Sequence, residues 1–196
     1  VVIAAQEAPE TPWPTVLFDN YRASFEVVQR LISLGHRRIG YISAPLDDQQ
    51  AGLRRMEGHL HALKAAGIEE TPGYLQHAEF SVASGYAAME RMLAEAPQAP
   101  TAVAAGSDLI AIGALRSLRD RGIGVPEMVS LFGFDNIPVC SKLVPSLSSV
   151  WLDFHELGEV CGDLLYRQVR RGRTQVERVV LHHNIEFRES LKPAGG

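Results

Sequence analysis

Short apolar runs alternate with amphipathic segments along most of this chain, and that alternation restricts the folds it can adopt. The run Thr15–Phe18 reads TVLF, apolar residues then recur at the spacing of a helix as far as Gly35, and Ile39–Ser43 is a second compact run. Two parallel strands need a crossover between them, and a helix is the usual crossover. The order strand, helix, strand therefore predicts an α/β fold built on parallel sheets.

The alternation continues to the end of the chain. The segment TAVAAGSD predicts a strand and a turn, and LIAIGALRSLRDRG predicts an amphipathic helix that ends at Gly122. Val129 begins a short run of strand formers that Gly133 is expected to end. The same reasoning predicts a buried strand at 1–5, helices around 53–63, 83–94 and 157–169, and strands at 179–181 and 185–187.

The composition is that of an ordinary soluble globular chain. It has 196 residues, of which 46% are hydrophobic and 21% charged, enough for a sizeable core in one or two domains. Its formal net charge of -4 differs from the basic surface of a DNA-contacting domain, so this segment is not expected to hold DNA itself. Cys140 and Cys161 provide neither a disulfide framework nor a metal-ligand spacing, and no apolar run is long enough to span a membrane.

The segment 125–136, which reads VPEMVSLFGFDN, contains the first candidate for a functional residue. A short apolar strand bounded by turn residues is typical of a buried parallel strand. Open parallel sheets bind ligands just beyond the carboxyl ends of their strands, which is where Asp135 falls. A second interpretation stays open, because Asp135 and Asn136 are also favoured turn residues and could do no more than shape the turn.

The segment 125–136 also resembles the VPeDvsvvGfDd segment of the LacI/GalR family of bacterial transcription regulators. Further segments resemble that family in the same order and together cover nearly the whole chain: TVLFDN…LISLGHRRIGYIS, TAVAAGSDLIAIGALRSLRDRG, PSLSSVWLDFHELG and IEFRESLKP. The chain departs from the family pattern at Ala23, where Gly is usual, at Ser107, where Asn is common, and at Leu152, where Gln is common. The departure at Ser107 weakens any inference about the identity of the ligand.

The resemblance implies a two-lobe, parallel-sheet fold of the type I periplasmic-binding-protein-like class. Residues 1–35 and 152–182 would form a partial amino-terminal lobe, and residues 36–151 and 183–193 the carboxyl-terminal lobe. Because the chain begins with Val1 rather than Met, we expect a fragment that lacks the family's DNA-reading headpiece and part of its first lobe. That incomplete lobe is expected to expose apolar surface.

The resemblance also implies ligand contacts outside the segment just described. Arg55 begins an R-x-x-G motif whose arginine binds the hydroxyls or carboxylate of the effector in the family, a role suited to the rigid fork of a guanidinium. Phe80 and Phe154 fall where an aromatic side chain lies against the ligand, and the residue at the place of Ser107 often contacts it. Simpler interpretations stay open: Arg55 could be a solvated surface arginine, as we expect for Arg54, and Phe80 could belong to the core.

The leading hypothesis is therefore the effector-sensing and dimerisation domain of a cytoplasmic transcriptional repressor. A small sugar-like metabolite would bind between the lobes, and a homodimer would form through the helix that starts at Leu109. DNA would be bound by a headpiece that is not part of this chain, and no cofactor, metal or membrane partner is expected. The runner-up is a periplasmic sugar-binding protein of a transport system, which shares the two-lobe plan.

An enzyme is the third hypothesis, and it has little support. The sequence contains no G-x-G-x-x-G, P-loop or G-x-S-x-G motif. The histidine pairs His59/His61 and His182/His183 lack sets of neighbouring cysteines or carboxylates, so we expect solvated surface residues rather than metal ligands. The chain is therefore expected to bind a ligand without transforming it.

Overall fold

Strands and helices alternate along the chain in the computed structural model, which describes residues 1–171 and 177–195. The helices are α1 (Asn20–Ser33), α2 (Arg55–Ala65), α3 (Val82–Glu95), α4 (Asp108–Asp120) and α5 (Phe154–Arg171). The strands are β1 (Ile3–Ala4), β2 (Thr15–Phe18), β3 (Ile39–Ser43), β4 (Leu75–His77), β5 (Ala102–Ala105), β6 (Ser130–Asp135), β7 (Ser148–Leu152), β8 (Arg178–Leu181) and β9 (His183–Glu186). A π-helical turn at Gln49–Arg54 precedes α2, and a 3-10 turn at Pro138–Lys142 follows β6.

The strands form two sheets, of six and three strands. The order in the larger sheet is β4-β3-β5-β6-β7-β9, with parallel pairing from β4 across to β7. The smaller sheet has the order β1-β2-β8, and both of its pairings are parallel. Helices supply the long connections that parallel strands require. The predicted α/β class with parallel sheets is therefore confirmed.

The chain divides into two compact units. The smaller unit contains Val1–Asp19 and Leu152–Asn184, and the larger contains Asn20–Trp151 with the segment from Ile185 on. Helix α1 packs along α2 and so belongs to the larger unit, whereas the family resemblance places it in the amino-terminal lobe. The first change of unit thus falls at Asn20 instead of after residue 35. The assignment of lobes in a longer protein stays a prediction.

The hydrophobic core of the larger unit lies between its central strands and the helices α3 and α4. Its buried side chains include Ile42, Met89, Met92, Val103, Ile110, Leu118, Leu131 and Leu147. This core fixes both ends of the loops that leave β5 and β6, and those loops hold the candidate site. Among the described helices, none is both long enough and apolar enough to cross a bilayer.

Strand β6 is longer than its sequence predicts. The prediction that Gly133 ends this strand is wrong, because the strand continues through Phe134 to Asp135. A side chain at Gly133 would collide with the carboxylate of Asp108, so glycine is required by a close approach and not by a turn. As a consequence, Asp135 is the last residue of a buried strand.

The smaller unit differs from the prediction at its first strand. A buried strand is expected at 1–5, but the observed strand is Ile3–Ala4 and neither residue is fully buried. It lies at the edge of the smaller sheet and pairs on one side only, whereas the central strand β2 is buried throughout. Helix α5 exposes Leu165, Tyr166 and Val169, which is apolar surface of the kind expected on this part of the chain.

Candidate functional site

Most of the predicted ligand contacts lie in the larger unit, at or after the carboxyl ends of its strands. Asp135 is the last residue of β6, while Ser107 follows β5 and Phe80 follows β4. Arg55 is the first residue of α2, the helix that follows β3. Because parallel strands end at one edge of their sheet, the fold brings these residues to the same edge. Phe154 is separate, since it begins α5 of the smaller unit.

Arg55 is buried and held by several partners, so the interpretation as a solvated surface arginine is wrong. Only 4% of the residue is exposed. Its Nε donates to Asn20 Oδ1 (2.8 Å), its Nη1 to the Gly106 carbonyl oxygen (2.7 Å) and its Nη2 to Asp135 Oδ1 (3.0 Å). The guanidinium carbon lies 3.6 Å from the ring centroid of Phe134. These contacts fix the orientation of the guanidinium fork before any ligand arrives.

The close packing of α1 on α2 explains the spacing of the R-x-x-G motif. A side chain at Gly58 would collide with the backbone oxygen of Tyr21, so glycine allows the two helices to approach closely. This approach brings Asn20, at the start of α1, to the guanidinium of Arg55. The amide of Asn20 also donates to Gln50 Oε1 (3.3 Å) in the π-helical turn. Asn20 is not among the contacts predicted from the sequence, so its place in this site comes from the tertiary structure.

The turn after β6 has an unusual backbone. Asp135 and Asn136 have φ angles of 101° and 53°, which residues other than glycine adopt rarely and at an energetic cost. The side chain of Asp135 is 25% exposed although its partner Arg55 is buried. Burial raises the pKa of Asp135, and the neighbouring Arg55 guanidinium acts in the opposite direction. The turn thus presents a carboxyl group that is paired on one side and accessible on the other.

A second carboxyl group, buried behind the turn, braces it. Asp108 is 1% exposed and accepts hydrogen bonds from the Ile137 amide (2.8 Å) and the Ser149 hydroxyl (2.6 Å). The Ser149 oxygen in turn accepts a hydrogen bond from the Asn136 amide (3.0 Å). Burial raises the pKa of Asp108 to about 6, and the hydrogen bonds from Ser149 and Ile137 oppose the rise. One buried carboxylate is therefore connected to both amides that follow Asp135.

Arg188 secures the same turn from the segment that follows β9. Its guanidinium donates to the side-chain oxygen of Asn136 (2.7 Å) and to the carbonyl oxygen of Leu147 (2.6 Å). Arg188 belongs to the segment IEFRESLKP, whose only sequence signal is its family resemblance. The family segment was the only sequence signal for this residue, because its partners lie far away along the chain.

The remaining predicted contacts have different environments. Phe80 is 43% exposed, so the interpretation as a core residue is wrong. Ser107 is buried and caps α4 by accepting a hydrogen bond from the Ile110 amide (3.4 Å). Phe154 is 52% exposed and meets Phe18 edge to face, with ring centroids 5.5 Å apart. Contacts of Phe80, Ser107 and Phe154 with a ligand stay predictions.

Arg54 and His59 are both predicted to lie at the surface, and only Arg54 does. Arg54 is exposed and pairs with Glu57 (3.0 Å), as expected of a surface arginine. The prediction that His59 is solvated is wrong, because it is 2% exposed and stacks on Tyr41 with ring centroids 4.6 Å apart. Burial lowers the pKa of His59 to about 3, so the ring is neutral. Within the described residues, no group of three His, Cys, Asp or Glu side chains could hold a metal ion.

Comparisons with known proteins agree with this architecture. The profile of the periplasmic binding protein-like domain family matches residues 28–191. Catabolite control protein A of Priestia megaterium is 32% identical over 192 residues, which make up 98% of this chain and 58% of that protein. The chain spans about half the length of the curated relatives it matches.

Solved structures give the same result. The complex of the transcriptional regulator CelR with cellobiose has a TM-score of 0.89 and 36% identity, covering 96% of this chain and 58% of the other. A LacI transcriptional regulator of Bacillus cereus subsp. cytotoxis NVH 391-98 has a TM-score of 0.91 and 31% identity, covering 99% of this chain and 68% of the other. The described fold is thus shared with transcriptional regulators over nearly its full length.

Proposed function

Because this chain belongs to the LacI family of transcriptional regulators, in its periplasmic binding protein-like domain, we propose that it is the effector-binding part of a transcriptional repressor. In this proposal a small sugar-like metabolite binds at the carboxyl edge of the larger sheet. The observation that carries the proposal is the buried pair of Arg55 and Asp135 over the ring of Phe134. Several relatives are named as transcriptional repressors or regulators, which favours this role over the periplasmic transport alternative.

The charges around the pair favour a neutral ligand that carries hydroxyl groups. The charge of Arg55 is matched by Asp135, and the negative charge of Asp48 also acts on Asp135. An anionic ligand would therefore meet no surplus of positive charge, whereas hydroxyls can accept from a guanidinium and donate to a carboxylate. Phe80 would add an apolar wall at the same edge, since its ring is 43% exposed and sugar rings have apolar faces.

A binding titration of the purified chain tests this function. The probes are the neutral saccharides cellobiose, ribose, glucose and maltose, and Arg55→Lys and Asp135→Asn are the site variants. Each variant removes one polar partner of the ligand, so we expect about tenfold or weaker affinity, the size of one strong hydrogen bond (~1.4 kcal/mol). Arg54→Lys is the matched control, because Arg54 is an exposed neighbour that pairs with Glu57. Its affinity is expected to equal that of the unchanged chain.

Two results would contradict the proposal. One is that none of the saccharides binds; the other is that a saccharide binds equally well to the site variants and to the Arg54→Lys control. The bound saccharide should also be recovered chemically unchanged, because the proposed role is binding and not catalysis.

The proposed assembly is a homodimer that acts on DNA in the cytoplasm through a headpiece outside this chain. Helix α4 supports the dimer, because Leu109 is exposed and Ile112 and Leu115 are partly exposed on the same side of the helix. Leu109→Lys is expected to convert the dimer into a monomer, which light scattering after size-exclusion chromatography would detect. An unchanged mass for this variant would argue against α4 as the interface.

A further inference from the structure

The carboxylate of Asp108 is buried at a cost that its local role in the helix does not explain. Burying a charged carboxyl group is unfavourable unless hydrogen bonds compensate for the lost water. A carboxylate at a helix amino terminus usually serves to satisfy the first amides of that helix. In α4 this capping is done by Ser107, which accepts from the Ile110 amide. Both oxygens of Asp108 instead accept from the segments around β6 and β7.

We propose that Asp108 is a positioning residue that holds the turn after β6 in the conformation in which Asp135 meets Arg55. This inference rests on the proposed function, in which Asp135 is a ligand contact. Asp108 does not touch the ligand in this proposal. It acts through the backbone of the two residues that follow Asp135.

The hydrogen bonds around Asp108 show how one side chain can fix a strained turn. Its Oδ2 accepts from the Ile137 amide, and its Oδ1 accepts from Ser149, whose oxygen accepts from the Asn136 amide. The positive φ angles of Asp135 and Asn136 are costly by themselves, so surrounding contacts must impose them. Two consecutive amides held at fixed positions leave the turn little freedom to relax.

The absence of a side chain at Gly133 leaves room for the Asp108 carboxylate. Gly133 lies in β6, and a side chain there would collide with Asp108 Oδ1. Glycine in the interior of a strand destabilises it, because its backbone loses more conformational entropy on folding and it has no side chain to pack. The close approach of the Asp108 carboxylate accounts for that glycine. Gly133 and Ser149, from neighbouring strands, therefore both accommodate the same carboxyl group.

Protonation of Asp108 should loosen the turn, because a protonated carboxyl group accepts hydrogen bonds less strongly. The groups that face it are Asp135 on β6, Ser149 on β7 and the thiol of Cys140 in the 3-10 turn. Asp135 raises the pKa of Asp108, whereas the hydrogen bonds from Ser149 and Cys140 lower it. Since burial brings the pKa of Asp108 to about 6, ligand affinity should fall as the pH decreases from 7.5 to 5.

The test compares Asp108→Asn with Asp120→Asn, a control at the exposed end of the same helix. The probe is whichever of the four saccharides above binds the unchanged chain most tightly. Asp108→Asn is expected to lower affinity about tenfold at pH 7.5 (~1.4 kcal/mol) and to reduce the fall in affinity between pH 7.5 and 5, leaving the part that comes from Asp135 itself. The amides of Asn136 and Ile137 should exchange with solvent faster in this variant, while the amide of Leu131 in β6 keeps its protection.

Ser149→Ala is a second variant, in case Asp108→Asn does not fold. It retains the buried carboxylate and its hydrogen bond from the Ile137 amide, and it removes the hydroxyl that links Asp108 to the Asn136 amide. A smaller loss of affinity, about fivefold (~1 kcal/mol), with faster exchange at Asn136 is expected. Affinity and exchange equal to those of Asp120→Asn would overturn the proposal.

The outcome also separates this inference from the proposed function. If no saccharide binds the unchanged chain, the proposed function fails, and amide exchange alone decides whether Asp108 holds the turn. If saccharides bind but exchange at Asn136 and Ile137 is unaffected in both variants, the proposed function stands and the positioning role is refuted.

Discussion

Removal of the Arg55 side chain should destabilise the fold, because the Asp135 carboxylate would lose the partner of its ion pair. In Arg55→Ala the carboxylate of Asp135 loses its ion pair, and Asn20 and the Gly106 carbonyl each lose a hydrogen bond. Breaking a buried pair from one side costs about 3–5 kcal/mol because the other charge remains unpaired. Since the Asp135 side chain is 25% exposed, water can compensate in part. We therefore expect the free energy of unfolding to fall by about 3 kcal/mol.

The double variant Arg55→Ala/Asp135→Asn should be more stable than Arg55→Ala alone. It removes the orphaned charge and leaves an amide, which is less costly to bury. The expected recovery is about 1–2 kcal/mol. Arg54→Ala is the matched control, because its pair with Glu57 is exposed and should change stability by less than about 0.5 kcal/mol.

The pH dependence of Arg55→Ala provides a further test. Without the guanidinium, burial and the negative charge of Asp48 both raise the pKa of Asp135, so it lies further above its ordinary value. Between the unfolded and folded pKa values the folded state then binds more protons, so stability increases as the pH falls through that interval. In urea unfolding, the free energy of unfolding of Arg55→Ala should fall below that of the unchanged chain by less at pH 5 than at pH 7.5. An equal loss at both pH values, or a double variant no more stable than Arg55→Ala, would contradict an unpaired, partly buried charge on Asp135.

The remaining predictions concern stability and use the same urea assay. His59→Phe keeps the ring stack on Tyr41 and removes a buried nitrogen without a hydrogen-bond partner in the structure. Because the folded pKa of His59 is about 3, this ring should contribute a loss of roughly 2 kcal/mol between pH 8 and pH 5, so the unchanged chain should lose more stability than the variant by that amount; equal changes in the two proteins would argue against a buried neutral ring. Gly58→Ala should cost about 1–3 kcal/mol because its methyl group collides with Tyr21. Gly162→Ala, in open space on α5, should stabilise by about 0.5–1 kcal/mol, and equal effects of the two glycine substitutions would contradict the packing argument.

Local sequence pattern was sufficient for most of the secondary structure. The strands β2, β3 and β5 are apolar runs bounded by turn residues, and the helices have apolar residues at helical spacing. These signals come from residues close together in the sequence, so they can be recognised without knowing which residues pack against them. The general rule for parallel sheets was also enough to predict that Asp135 lies at a carboxyl edge. Arg55, in contrast, was identified by its resemblance to a family motif and not by any pattern of its own.

Other elements could not be predicted locally because their residues are polar. Strand β4 reads LQH and β7 reads SSVWL, and neither is a run of strand formers throughout. Ser149 is fully buried, and what makes its burial acceptable is a hydrogen bond to Asp108, 41 residues away in the sequence. The sequence around His59 likewise suggests a surface residue, and its burial follows from its stacking on Tyr41 of β3.

Local pattern in the sequence therefore predicts the α/β class, most of the helices and strands, and the place of Asp135 at the carboxyl edge of a sheet. Only the tertiary structure decided which side chains meet there, because the partners of Arg55 are 35 residues away at Asn20 and 80 residues away at Asp135. A hydrogen bond depends on distance and direction within fractions of an ångström. Those are fixed by the close approaches at Gly58 and Gly133, which no local periodicity encodes.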